Sequence, residues 1–173
     1  MPLAAGILLF VATIAGMEGV AYAAHRWVMH GRLGWWLHES HHRERAGRFE
    51  RNDLYAVIFA VPSILLLAGG VRWGWGAWAT WAGAGIAAYG AIYFGFHDVI
   101  VHRRVGHRIV PRSSYFKRIV QAHRIHHAVE SREGTVSFGF LYAPAVERLK
   151  AALGGRDGAV VRAPKVASTI PRG

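Results

Sequence analysis

Eleven histidines in 173 residues are the feature of this sequence best suited to chemistry. Ten of them fall into four boxes. His25 and His30 are separated by four residues, and His38, His41 and His42 follow as H-x-x-H-H. After a 54-residue gap, His97 and His102 repeat the first spacing and His123, His126 and His127 repeat the second. Only His107 stands outside, and it reads as a hydrogen-bonded residue of the membrane interface. On an α-helix, positions i and i+4 share a face with i+3 beside them, so an H-x-x-H-H box can offer two or three imidazoles to one point. The H-x4-H pairs differ by five positions, about 140° apart on an ideal helix. Such a pair converges only where the helix ends, bulges or sits between two metals. Neutral imidazole is a good ligand for iron, zinc, copper or nickel. Ten are too many for one tetrahedral zinc and suit two metals with several ligands each.

Three apolar segments must position these boxes, each close to the 17–25 residues a membrane helix needs. They run from Leu3 to about Ala24, from Leu54 to Gly70 with Pro62 as an expected kink, and from Gly74 to about Phe96. The first lacks the basic start and cleavage pattern of a signal peptide and reads as a retained anchor. Gly69-Gly70-Val71-Arg72-Trp73 reads as a tight turn, with Trp73, Trp75 and Trp78 suited to the interface. Two polar stretches, Arg26 to Asp53 and Asp98 to the C-terminus, then fall on one side. Of 21 Lys and Arg, only Arg72 falls on the other. Cationic flanks stay inside, which puts the histidine boxes in the cytoplasm and the N-terminus outside. Val136 to Val146 holds Pro144, is too short to span and is expected to be re-entrant or interfacial. The expectation is an all-α integral membrane protein of three to four membrane helices, with a cytoplasm-facing, histidine-rich di-metal centre. Residues 1–153 form its membrane domain, and 154–173 a loose tail.

Charge alone argues for something else. A formal +11 and a pI near 11.0 suit a nucleic-acid binder. The 53% hydrophobic content excludes that class and makes the excess a topology signal. No cysteine is present, so thiolate zinc and cysteine-held clusters are excluded. Glu18, Tyr22 and His25 share a helix face. Glu18 and Tyr22 are candidates to orient a histidine, although Glu18 equally suits a polar partner between spans. Asp98, beside His97, fits a ligand, an orienting acceptor or an interfacial charge. His38-Glu39-Ser40-His41-His42 also matches the H-E-x-x-H of zinc proteases, with His38 and His42 on zinc and Glu39 activating water. Against an intramembrane protease, His123-Arg124-Ile125-His126-His127 has no such Glu, and eight boxed histidines are left without a task. A non-catalytic metal-handling membrane protein is the third reading. Bis-histidine haem would need single histidines deep in facing spans. Gly83-Ala84-Gly85 lies inside a span, so no dinucleotide fold is indicated.

The order of the boxes resembles the fatty acid hydroxylase superfamily of membrane di-iron enzymes. The wording around them is similar to its bacterial β-carotene hydroxylase branch. The stretches that carry the likeness are Met17-Glu18 through His25-Arg26-Trp27-Val28-Met29-His30-Gly31, Trp36-Leu37-His38-Glu39-Ser40-His41-His42, Asn52-Asp53-Leu54, Phe96-His97-Asp98 with Val101-His102, Ala122 to Ala128, and Gly134 to Pro144. Together they span roughly residues 10–146. The resemblance implies that His25, His30, His38, His41, His42, His97, His102, His123, His126 and His127 hold two irons, with O2 as co-substrate. It implies hydroxylation of β-ionone rings at carbon 3, taking β-carotene to β-cryptoxanthin and then zeaxanthin. Another lipid hydroxylase or desaturase of the superfamily remains the nearest alternative. With no cysteine and no dinucleotide motif, electrons are expected from an external ferredoxin and its NAD(P)H reductase. The other expected partners are a membrane-dissolved carotenoid and anionic lipids of the bacterial inner membrane, not nucleic acid. Trp27, Trp35, Trp36, Tyr93 and Phe96 are the aromatics near enough to the boxes to line a substrate slot.

Overall fold

The structure, a computed structural model, describes residues 1–44 and 47–155. In hydrocarbon every backbone N–H and C=O must be satisfied within the protein, so the apolar runs fold as helices. The described residues contain six α-helices and no strand. α1 (Leu3–Ala23) continues without a break into a π-helical turn, Ala24–Met29, and α2 (Trp35–His42) carries the second box. A short 3-10 turn, Arg51–Asp53, leads into α3 (Leu54–Arg72). α4 (Ala77–Tyr93) ends in a second π-helical stretch, Phe94–Val101. α5 (Ser114–His126) holds the fourth box, and α6 (Val146–Gly154) follows.

Three stretches are long and apolar enough to cross a membrane: Leu3–Met29, Arg51–Arg72 and Ala77–Val101. Their outer faces keep leucines, isoleucines and valines exposed, and α1 buries only Gly6. Such surfaces would be an aggregation hazard in water and suit lipid. α4 sits between its neighbours, packed on both α1 and α3. Small residues allow the close approach. A Cβ on Gly83 would lie 2.9 Å from the Leu67 backbone nitrogen, and one on Gly85 2.7 Å from Thr13. Ser63 on α3 donates to the Gly83 carbonyl at 2.8 Å, an interhelical bond at that crossing.

The turn between the second and third spans differs from expectation. Gly69 and Gly70 are helical, and the chain reverses at 73–76, where Gly74 and Gly76 take positive φ. The third span therefore starts at Ala77, not Gly74. The first glycine pair serves packing: a Cβ on Gly69 would meet the Trp75 ring and one on Gly70 would meet Thr80. Glycine is needed for left-handed backbone at one pair and for close approach at the other.

Beyond the spans, α5 is amphipathic. Ser113 caps it by accepting from the Phe116 N–H at 3.2 Å. Its Ile119, Val120 and Ala122 pack with Phe96, Val136, Phe140, Ala143 and Leu149 in the main core of the described residues. Residues 136–145 are irregular backbone folded under α5, with Val136, Phe140 and Ala143 buried. The expected tail begins at the last residue of α6, and residues 156–173 lie outside the described residues.

Candidate metal centre

The π-helical turns explain the H-x4-H spacing. The His30 N–H donates to the His25 carbonyl at 3.0 Å, and the His102 N–H to the His97 carbonyl at 2.9 Å. An i→i+5 bond stacks residues five apart, which an α-helix would set well off one another. Each π segment thus aims both histidines of its box the same way, and of the routes to convergence the bulge is the one used.

The H-x-x-H-H boxes do something different from offering all their rings to one point. His25, His30, His38 and His126 form one set whose ligating nitrogens all lie within 4.8 Å of one another. His41, His97, His102, His123 and His127 form a second set by the same measure. His42 converges with His126 and His127 and so stands between the two. Box two therefore gives His38 to one set and His41 to the other, and box four splits His126 from His123 and His127. Positions three apart point far enough apart to serve adjacent centres. All ten boxed histidines meet, whereas His107 is tied to the 99–109 segment by the Val99 carbonyl at 2.7 Å.

Oxygen acceptors behind the rings fix their tautomers. Nδ1 of His25, His30, His42 and His126 donates to the carbonyls of Phe138, Arg132, Val129 and Val136, at 3.0, 2.9, 2.7 and 3.0 Å. Nδ1 of His38 meets Asn52 Oδ1 at 2.7 Å, and Nδ1 of His41 meets Glu50 Oε2 at 2.9 Å. His97 Nδ1 lies 3.3 Å from Asp98 Oδ2. A proton on Nδ1 leaves a lone pair on Nε2. Yet Nε2 atoms face each other at 3.1 Å in His25–His38, 3.2 Å in His30–His126 and 3.1 Å in His41–His97. Neither ring of such a pair has a proton to give, and a cation held by these nitrogens would relieve the repulsion. The buried His127 Nε2, which makes no hydrogen bond among the described residues, fits the same donor set. Burial, with neighbouring imidazoles adding to it, holds His38, His41, His123, His126 and His127 well below the usual histidine range. It also lowers His30 to about 4 and His102 to about 3. Neutral imidazoles are the form that binds metal.

Of the flanking residues singled out in the sequence, Asp98 sits behind His97 and also accepts from Arg104 at 2.8 Å, which reaches Asp53 at 2.7 Å. Glu18 touches no histidine. Its Oε1 accepts from the N–H groups of Phe140, Leu141 and Tyr142 at 2.8, 2.8 and 3.1 Å, and its Oε2 from Tyr89 at 2.8 Å. It therefore clasps the segment whose Phe138 carbonyl holds His25. Tyr22 accepts from Arg26 and sets its ring edge-on to Phe138. Glu39 pairs with Arg43 at 2.9 Å on the outer face of α2, away from any role as a water-activating base. Nothing in the spacing of the sequence singles out Glu50 or Asn52, which the fold brings behind His41 and His38. Their signal was a polar cluster just ahead of the second span.

A cavity of about 750 Å³ opens beside the histidines, between α1, α3 and α4. His25, His97 and His123 reach it, and most of its wall is aliphatic or aromatic. Tyr93 lines it and stacks on His97 with ring centres 4.5 Å apart. The other expected slot aromatics do not line it. Trp27 and Trp36 face outward at 67% and 57% exposure, Phe96 is buried in the core behind α5, and Trp35 packs on His30 and His42.

A chain with three helices long and apolar enough to cross a membrane gathers nine boxed histidines into two adjoining sets, with His42 between them, beside a largely apolar cavity, an arrangement of the histidine-box class that could hold metal. Comparison with known proteins makes this particular. The sequence model of the fatty acid hydroxylase family matches residues 10–149, and the chain belongs to that family of hydroxylases. It is 52% identical over 143 residues to the beta-carotene hydroxylase of Paracoccus sp. (strain PC1), covering 83% of this chain and 87% of that protein. It is 53% identical over 154 residues to the beta-carotene hydroxylase of Pantoea ananas, covering 88% and 85%. The chloroplastic beta-carotene 3-hydroxylase of Haematococcus lacustris is 40% identical over 144 residues, covering 80% of this chain and 43% of that protein. No solved structure matches the chain.

Proposed function

We propose that the chain hydroxylates carotenoid β-ionone rings at carbon 3, taking β-carotene to β-cryptoxanthin and then zeaxanthin. The ten boxed histidines would hold two irons, nine of them in the two sets described and His42 between the sets. The observation that carries the metal reading is the three Nε2 pairs whose protons lie on the far side of each ring. The relatives' names carry the substrate. Each turnover inserts one atom of O2 into a ring C–H bond and reduces the other to water, using two electrons and two protons. Iron bound there supplies the oxidising power that an unactivated C–H bond requires and that side chains lack.

The chain's own residues do the rest. The Nδ1 acceptors lock the rings so that their lone pairs converge. Tyr93, Phe138 and Phe140 give the histidine end of the cavity apolar wall, beside a polar rim of Arg48, Asp53, Asp98 and Arg104. Arg104 ties Asp53 at the head of the second span to Asp98 behind His97, joining the first box pair to the second. Residues 1–153 constitute the catalytic membrane domain, placed in the bacterial inner membrane with the boxes on the cytoplasmic side. Electrons come from a ferredoxin-type donor with its NAD(P)H reductase, steered by the basic face that also favours anionic lipid.

Expression in bacteria that accumulate β-carotene tests the reading. Conversion of the pigment to hydroxylated carotenoid, by protein carrying about two irons per chain, is the expected result. Unchanged pigment in cells with good expression overturns it, and about one zinc per chain favours the protease instead. The donor has its own check. Turnover should fall steeply with added salt while the protein stays in the membrane; turnover indifferent to salt removes the steering.

A further inference from the structure

The cavity beside the histidines is a slot, and it runs lengthwise with the spans. Its lining on α3 includes Tyr55, Phe59, Ser63 and Leu67, at four-residue steps, with Ala56, Ala60 and Ile64 beside them. At about 1.5 Å per residue these positions make a wall roughly 18 Å long. Met17 and Ala21 of α1, and His25 of the π turn that continues it, line it with the same step. Histidines reach only one end. Ile86, which lines the other, lies eleven residues before His97, or roughly 16 Å along the helix. The two histidine sets are not spread along the slot: His42, His126 and His127 join them within 4.8 Å. Both sets therefore serve one place.

A forty-carbon carotenoid is a stiff rod about as long as the hydrocarbon core is thick, roughly 30 Å. It cannot fold to bring both rings to one place. We propose that the carotenoid binds lengthwise in this slot, with one ring at His25, His97 and His123 and its polyene along α3 and α4. Only one ring is then hydroxylated per binding event, and the monohydroxylated product must leave and return end for end. The proposal rests on the carotenoid reading above. Its geometry also makes the reversed molecule a good substrate. With the new hydroxyl pointing away from the histidines, that group reaches the opposite interface. There Trp73, Trp75 and Trp78 are exposed near the turn, and a polar end is solvated.

The test is a competition. The full chain, iron-loaded and supplied with electrons in liposomes, receives deuterated β-carotene with or without a tenfold excess of unlabelled β-cryptoxanthin. The ratio of labelled zeaxanthin to labelled β-cryptoxanthin should drop about tenfold with the competitor, because the labelled intermediate must rejoin the common pool. An unchanged ratio means that the second ring is reached without release and overturns the proposal. If no labelled hydroxylated product forms at all, the carotenoid reading itself fails and takes the proposal with it. A variant gives a second arm. Ala87 lines the slot ten residues before His97 and is exposed, so Ala87→Phe narrows the slot without touching the histidines. KM for β-carotene should rise at least about fivefold. KM for a one-ring analogue too short to reach Ala87 should move less than twofold, with iron content unchanged. Equal rises for both substrates overturn the lengthwise pose.

Discussion

Glu50 stands behind His41, one of the proposed ligands. Its carboxylate accepts from His41 Nδ1 at 2.9 Å, and both side chains are nearly excluded from solvent, at 11% and 3% exposure. The carboxylate keeps the His41 proton on Nδ1 and the Nε2 lone pair facing His97. Removing such a partner usually costs 10–100-fold in metal affinity or activity. Glu50→Ala should therefore lower iron affinity and turnover by about that factor. Glu50→Gln, which keeps an acceptor oxygen, should lose less. Iron titration of the purified variants checks both, and full affinity in Glu50→Ala would show that His41 needs no orienting group. The histidines themselves were readable because a repeated spacing is improbable by accident. Most of their partners were not. Four of the seven Nδ1 acceptors are backbone carbonyls, of Val129, Arg132, Val136 and Phe138, and a carbonyl has no identity in a sequence. All four come from 129–138, where Val129 and Arg132 lie outside the stretches that carry the family likeness and Val136 and Phe138 inside them.

The helices were readable at their ends and misread where one residue type serves two purposes. Apolar length located all three spans, and the five-residue spacing of His25–His30 and His97–His102 required a departure from α-helix that the π turns provide. Gly69-Gly70 looked like a turn because glycine marks both turns and close helix contacts. Only the neighbouring Trp75 and Thr80 decide which. Glu18 belongs to this scale, since its reach from α1 to the 138–142 segment depends on an arrangement no local pattern encodes. A carboxylate that satisfies three successive N–H groups secures a stretch of irregular backbone against the first span. Leaving a buried donor unmet costs about 1–3 kcal/mol. Glu18→Ala strands two partly buried donors, of Phe140 and Leu141, and an exposed one of Tyr142, so a loss of about that size is expected, along with weaker iron retention through the Phe138–His25 bond. Glu18→Gln keeps the acceptor oxygen and should recover most of the stability. Thermal unfolding, limited proteolysis at 138–142 and iron content are the measurements. An alanine variant with unchanged protease resistance and iron would show that the segment holds itself.

Across the whole molecule, charge and chemistry lie at the same end. The ends of the first and third spans and the start of the second meet there, because His25 contacts His38, His41 contacts His97 and Arg104 contacts Asp53. In sequence, twenty of the 21 Lys and Arg and nine of the ten acids fall in the polar stretches that follow the first and third spans, which carry the whole formal +11. Lys and Arg near span ends resist translocation, which predicts that this face is cytoplasmic and that the Trp73–Gly76 turn is outside. The absence of cysteine makes the prediction easy to test, since any thiol introduced is the only one present. Trp73 is exposed at the turn, and Ser114 is exposed at the start of α5 on the histidine side. In intact bacteria a membrane-impermeant maleimide should label Trp73→Cys readily, and Ser114→Cys only after the inner membrane is opened. Retained pigment conversion in both variants would show that the labelled molecules are folded. The reverse labelling pattern would place the histidines and their electron donor on opposite sides of the membrane, and an externally facing centre would then need a different source of electrons.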